Sequence, residues 1–296
     1  MSRDPAILCV NIDVDSLRLY RAIHSLPERA EGSEVYKAGV VRFMDLLDSL
    51  KIPGTIFSIA ADLLPDAKRI LQDAVSRGHE VASHSLSHPY DLFKLEDPSV
   101  ELEYSRQKLQ DATGSDILGF RSPGYNLSPD LLANIVLHYK YDSSVLPSLP
   151  YFFARAAVIG SMKIRGRQSS SSVGHFSNFA RQWRPFSWQT GDTKLPELPM
   201  SAVFGVPVIG TTLATNSLVL RRVLPILKRR KFINIEFHAI DFMDESDGLE
   251  KGLAVEPSVR VPLNVRLKRF EAALKTLQKH AKAITLAQAA DQVFSK

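Results

Sequence analysis

Short apolar runs that read as strands alternate along this chain with stretches of helical periodicity, and that alternation restricts the fold more than any other feature of the sequence. A strand over Ala6–Ile12, a helix over Lys37–Leu50 and a strand over Gly54–Ile59 make one βαβ unit. A helix over Asp66–Arg77 ends at Gly78, a favourable C-terminal stop, and leads into a strand over His79–Ser83. Asp97 and Pro98 offer an N-cap and a first helical proline for a helix that runs to Thr113, before Gly114; a strand over Ile117–Phe120 follows. Ser128-Pro129-Asp130 opens another helix by the same logic, and Tyr139–Ser143 reads as the next strand. Repeated βα units in one chain predict a parallel sheet or barrel, in which chemistry collects at the C-terminal ends of the strands.

From about Ser144 to Met200 the alternation breaks into Pro, Ser and Gly clusters, including Ser169–Ser172, with aromatic residues between them. Both tryptophans lie there, so the stretch reads as an insertion in a domain and not as a linker. Val203–Ile209 and Phe232–Phe237 read as the last clear strands, separated by a basic helix over Ser217–Arg230. A long amphipathic helix over Leu263–His280 follows, and the chain ends in Ala283–Leu286 and a short helix. With 296 residues, 45% of them hydrophobic, the chain has core enough for one α/β domain over 1–296, with the insertion at about 144–200.

The single cysteine, Cys9, excludes an intrachain disulfide and is expected to be a buried small apolar residue. The apolar run near the N-terminus is too short for a signal-peptide core, so the expected location is cytoplasmic. The net charge of +5 is mild and no dense Lys/Arg block occurs, which argues against a nucleic-acid partner. The charge is nevertheless uneven. No Asp or Glu lies between Ser143 and Gly191, where Arg155, Lys163, Arg165, Arg167, Arg181 and Arg184 are interleaved with Tyr151, Phe152, Phe153, Phe176, Phe179, Trp183, Phe186 and Trp188. Such a surface suits phosphate groups or an anionic membrane face, although a basic surface loop has the same composition.

Polar residues with chemical potential sit where the expected strands end. Asp13 and Asp15 are two apart, so on extended backbone both carboxylates point to one side; alone, the pair also fits an Asp-rich loop or cap. His84 and His88, at i and i+4, can converge on one cation from a helical turn. With Asp15 they make a two-His, one-carboxylate set suited to Zn²⁺ or a similar divalent ion with a position open for water, and Asp13 is placed to accept a proton from that water. Arg121-Ser122-Pro123-Gly124-Tyr125 supplies a fixed turn after the strand ending at Phe120. Asp142 offers a carboxylate for a charge-assisted pair with Arg121, and Glu236-Phe237-His238 brings a third histidine to a strand end.

Taken in order, Asp-x-Asp, His-x-x-x-His, Arg-x-Pro-Gly, Asp-Ser-Ser and strand-His resemble the motifs of the polysaccharide deacetylases, carbohydrate esterase family four, over about Ala6–Val293. The resemblance implies a distorted (β/α)7 TIM-like barrel and removal of an N-acyl group, acetyl above all, from an amino sugar. It implies metal ligation by Asp15, His84 and His88, with Zn²⁺ first and Co²⁺ or Ni²⁺ as substitutes. Asp13 would be the base and His238 the acid. Arg121 would orient Asp13 with support from Asp142, and the Tyr125 N–H would stabilise the oxyanion.

Two departures stand out: Val14 separates aspartates that are adjacent in most secreted members, and Ser143-Ser144 replaces a tryptophan common after the fourth motif. The Ile-Asp-Val-Asp form is similar to an intracellular branch that includes peptidoglycan-deacetylase-like proteins and a deformylase of lipid-phosphate-linked aminoarabinose. A lipid-linked formamido sugar and peripheral contact with the inner face of the membrane are therefore alternative expectations, as is a barrel that binds such a sugar without catalysis.

Overall fold

The computed structural model describes residues 5–29, 32–164, 172–215, 217–250, 252–253 and 256–295. Its strands are β1 (Ala6–Val14), β2 (Thr55–Ser58), β3 (Glu80–Ser83), β4 (Gly119–Phe120), β5 (Tyr141–Asp142), β6 (Phe186–Thr190), β7 (Thr193–Glu197), β8 (Ala202–Val203), β9 (Val206–Pro207), β10 (Phe232–His238) and β11 (Ala281–Ala283). One sheet runs in the order β10-β1-β2-β3-β4-β5-β7-β6, with β11 also pairing β1. Its pairs are parallel except for the β6–β7 hairpin. The chain leaving β7 closes the ring: the Leu198 N–H donates to the Asp142 carbonyl at 2.9 Å, and the Ser201 N–H to the Asn234 carbonyl at 2.8 Å. The mostly parallel α/β barrel expected from the sequence is borne out.

Strand alternation divides the core into two layers. Leu8, Val10, Ile12, Ile56, Val81, Ile233 and Ile235 face outward, where Phe43, Leu47, Leu71, Leu109, Phe270 and Leu274 of the surrounding helices cover them. Ile7, Cys9, Phe57, Ala82, Tyr141 and Phe232 form the inner layer, packed against Leu286, Ala289 and Ala290 of the C-terminal helix Leu286–Phe294. Cys9 is buried there as expected. With both faces covered, these strands read in sequence as nearly continuous apolar runs. The helix stops hold as well: Gly114 closes Ser105–Thr113 with φ +70°, and Gly78 follows Pro65–Ser76 with φ +86°. Ser128 caps Pro129–His138 by accepting from the Leu131 N–H.

Two later stretches differ most from the sequence reading. Ser144–Met200 holds a sixteen-residue helix, Leu149–Ile164, and the β6–β7 hairpin, and β7 belongs to the main sheet through its pairing with β5. The helix is mostly apolar and shows no clear stripe, while β7 contains Pro196, which argues against a strand from sequence. Arg165, Arg167 and Ser169–Ser171 of this stretch lie outside the described residues. Val203–Ile209, expected as one strand, contains a tight turn at Phe204 and Gly205, with φ +50° and +76°, between β8 and β9.

Candidate metal and catalytic site

Parallel register sets Asp13 of β1 beside His238 of β10, and Asn11 beside Glu236. Every second residue of each strand faces the barrel interior, so Asn11 and Asp13 meet Asn234, Glu236 and His238 there. Arg121, wholly buried, rises between them and donates to Asp13 Oδ1 at 2.6 Å, Asn11 Oδ1 at 2.7 Å, the Ser143 carbonyl at 2.7 Å and Ser143 Oγ at 3.0 Å. Its guanidinium lies 4.1 Å from the Phe57 ring centroid. A polar layer thus separates the apolar plug at one end of the barrel from the cluster of carboxyl and imidazole groups at the other.

His84 and His88 follow β3 in a loop, not on the helical turn expected. Ser85 and His88 take φ of +67° and +64°, folding the chain back so that the two rings meet with centroids 4.7 Å apart. The Ser85 hydroxyl accepts the His88 N–H at 3.0 Å, and Glu101 accepts the N–H groups of Leu86 and Ser87 at 3.0 and 2.9 Å. His84 Nδ1 is 2.8 Å from the Arg121 carbonyl, which leaves Nε2 turned toward Asp15.

The Asp15, His84 and His88 side chains fit a divalent ion. His84 Nε2 and His88 Nε2 lie 3.5 and 3.4 Å from Asp15 Oδ1. Ligands bonded to zinc at 2.0–2.1 Å in a tetrahedron stand about 3.4 Å from one another. Asp15 Oδ1 is buried with no hydrogen-bond partner, an arrangement that calls for one. Burial alone would raise the Asp15 carboxyl; His88 and His84 outweigh it and hold the group well below the usual range. Burial also drives His88 down to about 4, keeping its ring in the neutral form that ligation requires.

Asp13, Glu236 and His238 form the neighbouring cluster. Asp13 Oδ2 is 3.8 Å from His84 Nε2, and His238 Nε2 is 4.0 Å from Asp15 Oδ2 and 3.8 Å from Glu236 Oε1. Burial opposes ionisation of Asp13, but Arg121, His84 and His238 outweigh it and keep it below the ordinary carboxylate value. Burial and then the Asp13 charge push Glu236 up to about 8. Burial works against charge on His238, yet Glu236, Asp15 and Asp13 together raise it to about 9. Glu236 is a participant that sequence reasoning passed over. The period-two run Asn234, Glu236, His238 inside an apolar strand was the available signal.

Two expected partnerships are not found. The Tyr125 N–H donates to the Ser122 carbonyl at 3.0 Å within the turn that Pro123 and Gly124 make, so it is committed locally; the Tyr125 hydroxyl instead donates to Glu236 at 2.7 Å. Asp142 does not bond Arg121. Strand parity turns Ser143 inward to Arg121 and sends Asp142 to the opposite face, where Asp142 Oδ1 accepts the Ser144 hydroxyl at 2.7 Å beside Glu197.

Glu197 accepts the Val145 N–H and Trp188 Nε1–H, each at 3.0 Å. Burial, then the Asp142 charge, push it well above its ordinary value, and burial raises Asp142 too, so the pair retains a proton. A carboxyl raised in the folded state contributes fully below its unfolded value and loses that contribution as pH climbs. Stability is therefore expected to decline above about pH 4, by at most about 1.4 kcal/mol per unit for one proton. Asp142→Asn keeps an oxygen for Ser144 and offers an N–H to Glu197, so it should flatten that decline. Urea unfolding across pH measures it, and equal slopes in the two proteins would contradict the shared proton.

The site opens into a cavity of about 630 Å³. Asp13, Asp15, His84, His88 and His238 line its floor, with Thr211, Thr212 and Ser258 nearby, and the helix Leu149–Ile164 forms a wall.

Residues 32–141 match the family model for polysaccharide deacetylase. The matched span includes His84, His88, Arg121 and Tyr125; Asp13, Asp15, Asp142 and His238 lie outside it. No curated protein matches the chain by sequence. Among solved structures it is similar to a protein described as a polysaccharide deacetylase from Mycobacterium smegmatis, with a TM-score of 0.63 and 17% identity over 100% of this chain and 93% of that one. Puue allantoinase gives 0.60 and 13% over 100% and 96%. The Xyl-CE4 domain of a multidomain xylanase from the hindgut metagenome of Trinervitermes trinervoides gives 0.50 and 12% over 98% and 91%. At these identities the structures establish a shared fold. The likeness to polysaccharide deacetylases read from the motifs is borne out by the family match.

Proposed function

We propose, for a chain that matches polysaccharide deacetylases over residues 32–141, that it hydrolyses the N-acyl amide of an amino sugar with the help of a divalent ion, acetyl being the group removed. Its Asp-Val-Asp motif aligns it with the intracellular branch of those enzymes. The observation that carries the reading is the distance of 3.5 and 3.4 Å from Asp15 Oδ1 to the Nε2 atoms of His84 and His88, with the Asp13 carboxyl and the His238 imidazole beside them.

An ion held by Asp15, His84 and His88, zinc being best suited to that donor set and Co²⁺ or Ni²⁺ able to replace it, supplies Lewis acidity for the amide carbonyl and lowers the pKa of water to about 7. Asp13, kept ionised and fixed in direction by Arg121, accepts the proton of the attacking water. His238 is protonated near neutral pH and donates to the departing nitrogen, which must leave as an amine. Neutral Glu236, held by Tyr125, keeps a second carboxylate charge from forming beside Asp13.

Zinc-loaded protein incubated with N-acetyl and N-formyl hexosamine derivatives tests the reading. Acetate release that is abolished by chelation and restored by zinc is expected. Formate release alone would assign the deformylase reaction, and release of neither acid would refute the amide hydrolase.

A further inference from the structure

The two histidines of the metal set are held in different ways. His84 is oriented through its ring, Nδ1 lying 2.8 Å from the Arg121 carbonyl, whereas His88 Nδ1 is buried with no hydrogen-bond partner among the described residues. A ligating histidine ordinarily fixes its ring by bonding the nitrogen that does not meet the metal. Placement of the His88 ring therefore falls to its packing against His84 and Tyr90 and to the backbone beneath it. That backbone is unfavourable by itself: Ser85 and His88 take φ values of +67° and +64°, a left-handed region that few residues other than glycine adopt, histidine more readily than serine.

Partners outside the loop hold it from two sides. On one side the Ser85 and Leu86 carbonyls accept the N–H groups of Ala60 and Ala61 at 3.1 and 2.8 Å. On the other, the Glu101 carboxylate accepts the Leu86 N–H at 3.0 Å, the Ser87 N–H at 2.9 Å and the Ser87 hydroxyl at 2.6 Å, and the Glu101 carbonyl accepts the Leu86 N–H at 3.1 Å. Two consecutive N–H groups, set between left-handed residues, thus converge on one carboxylate, as successive backbone N–H groups do when they cradle an anion. Glu101 stands on a firm base. Its turn, Val100–Tyr104, runs into the helix Ser105–Thr113, Leu102 and Leu109 are buried in the core, and Ser105 Oγ lies 2.6 Å from Ser83 Oγ at the end of β3.

We infer that Glu101, which neither belongs to the metal set nor lines the cavity, is a positioning residue for the divalent ion: it holds the loop from Ser85 to His88 in the left-handed form that presents His88 Nε2 beside Asp15 and His84. This rests on the metal-assisted reading proposed above. Zinc affinity, measured by competition with a chromophoric chelator, tests it, with urea unfolding of the same proteins as the check on fold. Glu101→Ala is expected to weaken zinc binding about 10–100-fold, the range for removing a group that orients a metal ligand, while unfolding stays cooperative. Glu101→Gln keeps an acceptor oxygen for the two N–H groups but gives up the charge that strengthens those bonds, and should lose about three- to tenfold. Glu103→Ala removes the same charge from an exposed site on the same turn and should bind zinc as wild type does.

A merely structural role would lower the urea midpoint of Glu101→Ala and leave the zinc affinity of the folded protein where it was, and that result overturns the inference. So does an equal loss of affinity in Glu103→Ala. If Glu101→Ala does not fold, Glu101→Gln decides on the same terms, wild-type affinity there counting against the role. Acid release from N-acetyl hexosamine derivatives, scored on the same proteins, separates the two claims. Zinc binding that weakens without Glu101 in a protein that releases no acid keeps the positioning role and removes the reaction, whereas acid release with zinc affinity indifferent to Glu101 keeps the reaction and removes the role.

Discussion

Replacing Arg121 by alanine is expected to lower folding stability by about 3–5 kcal/mol, the range for breaking a buried ion pair by removing one partner. The side chain is fully buried and reaches Asp13, Asn11 and Ser143, so its loss strands one carboxylate and several buried acceptors and leaves a cavity against Phe57. With Arg121 gone, the largest offset to the burial that opposes ionisation of Asp13 is lost, leaving His84, His238 and the hydrogen bond with Glu236, and the carboxyl should shift upward. Arg121→Lys keeps a charge but cannot reproduce a forked set of donors, and should fall between the two. Denaturant midpoints measure the series. A loss under about 1 kcal/mol for alanine would mean that the polar layer is not held together by this residue.

Asp13→Asn is expected to reduce amide hydrolysis by about 10²–10⁴-fold while leaving metal content and fold intact, because general-base transfer contributes on that scale. Asparagine still offers an oxygen to Arg121, so the hydrogen bond at 2.6 Å has a substitute. The charge is compensated as well. Glu236 is held near 8 partly by the Asp13 charge, so in the variant it should ionise and take over as the carboxylate facing Arg121, 3.8 Å away. Activity within tenfold of wild type would remove Asp13 from the role of base, and loss of the metal along with activity would make it a ligand instead.

How far the sequence could be read follows from where each element lies. β1, β2, β3 and β10 are covered on both faces, so their apolar runs were plain, and the polar residues that interrupt or end them are those of the candidate site. Asp13, Asp15 and His238 were legible for that reason. The convergence of His84 and His88 depends on left-handed backbone at Ser85 and His88; histidine is enriched there but rarely enough that the sequence alone did not mark it, and serine gives no signal.

The choice between Asp142 and Ser143 as the partner of Arg121 turned on one step of strand parity in a strand only two residues long. Charge pointed to the aspartate, and the backbone delivered the serine. The Tyr125 N–H was lost to the turn that its own Pro123-Gly124 imposes, since Pro and Gly fix where neighbouring donors point but not whether a carbonyl waits there. The helix Leu149–Ile164 escaped notice because it lacks a clear polar face.

The metal content of wild type, Asp15→Ala and His84→Ala tests the central claim most directly. Elemental analysis after zinc loading should give close to one ion per wild-type chain and almost none in either variant, with circular dichroism unchanged. Wild type that takes up no divalent ion, or variants that retain it fully, would contradict the site formed by Asp15, His84 and His88.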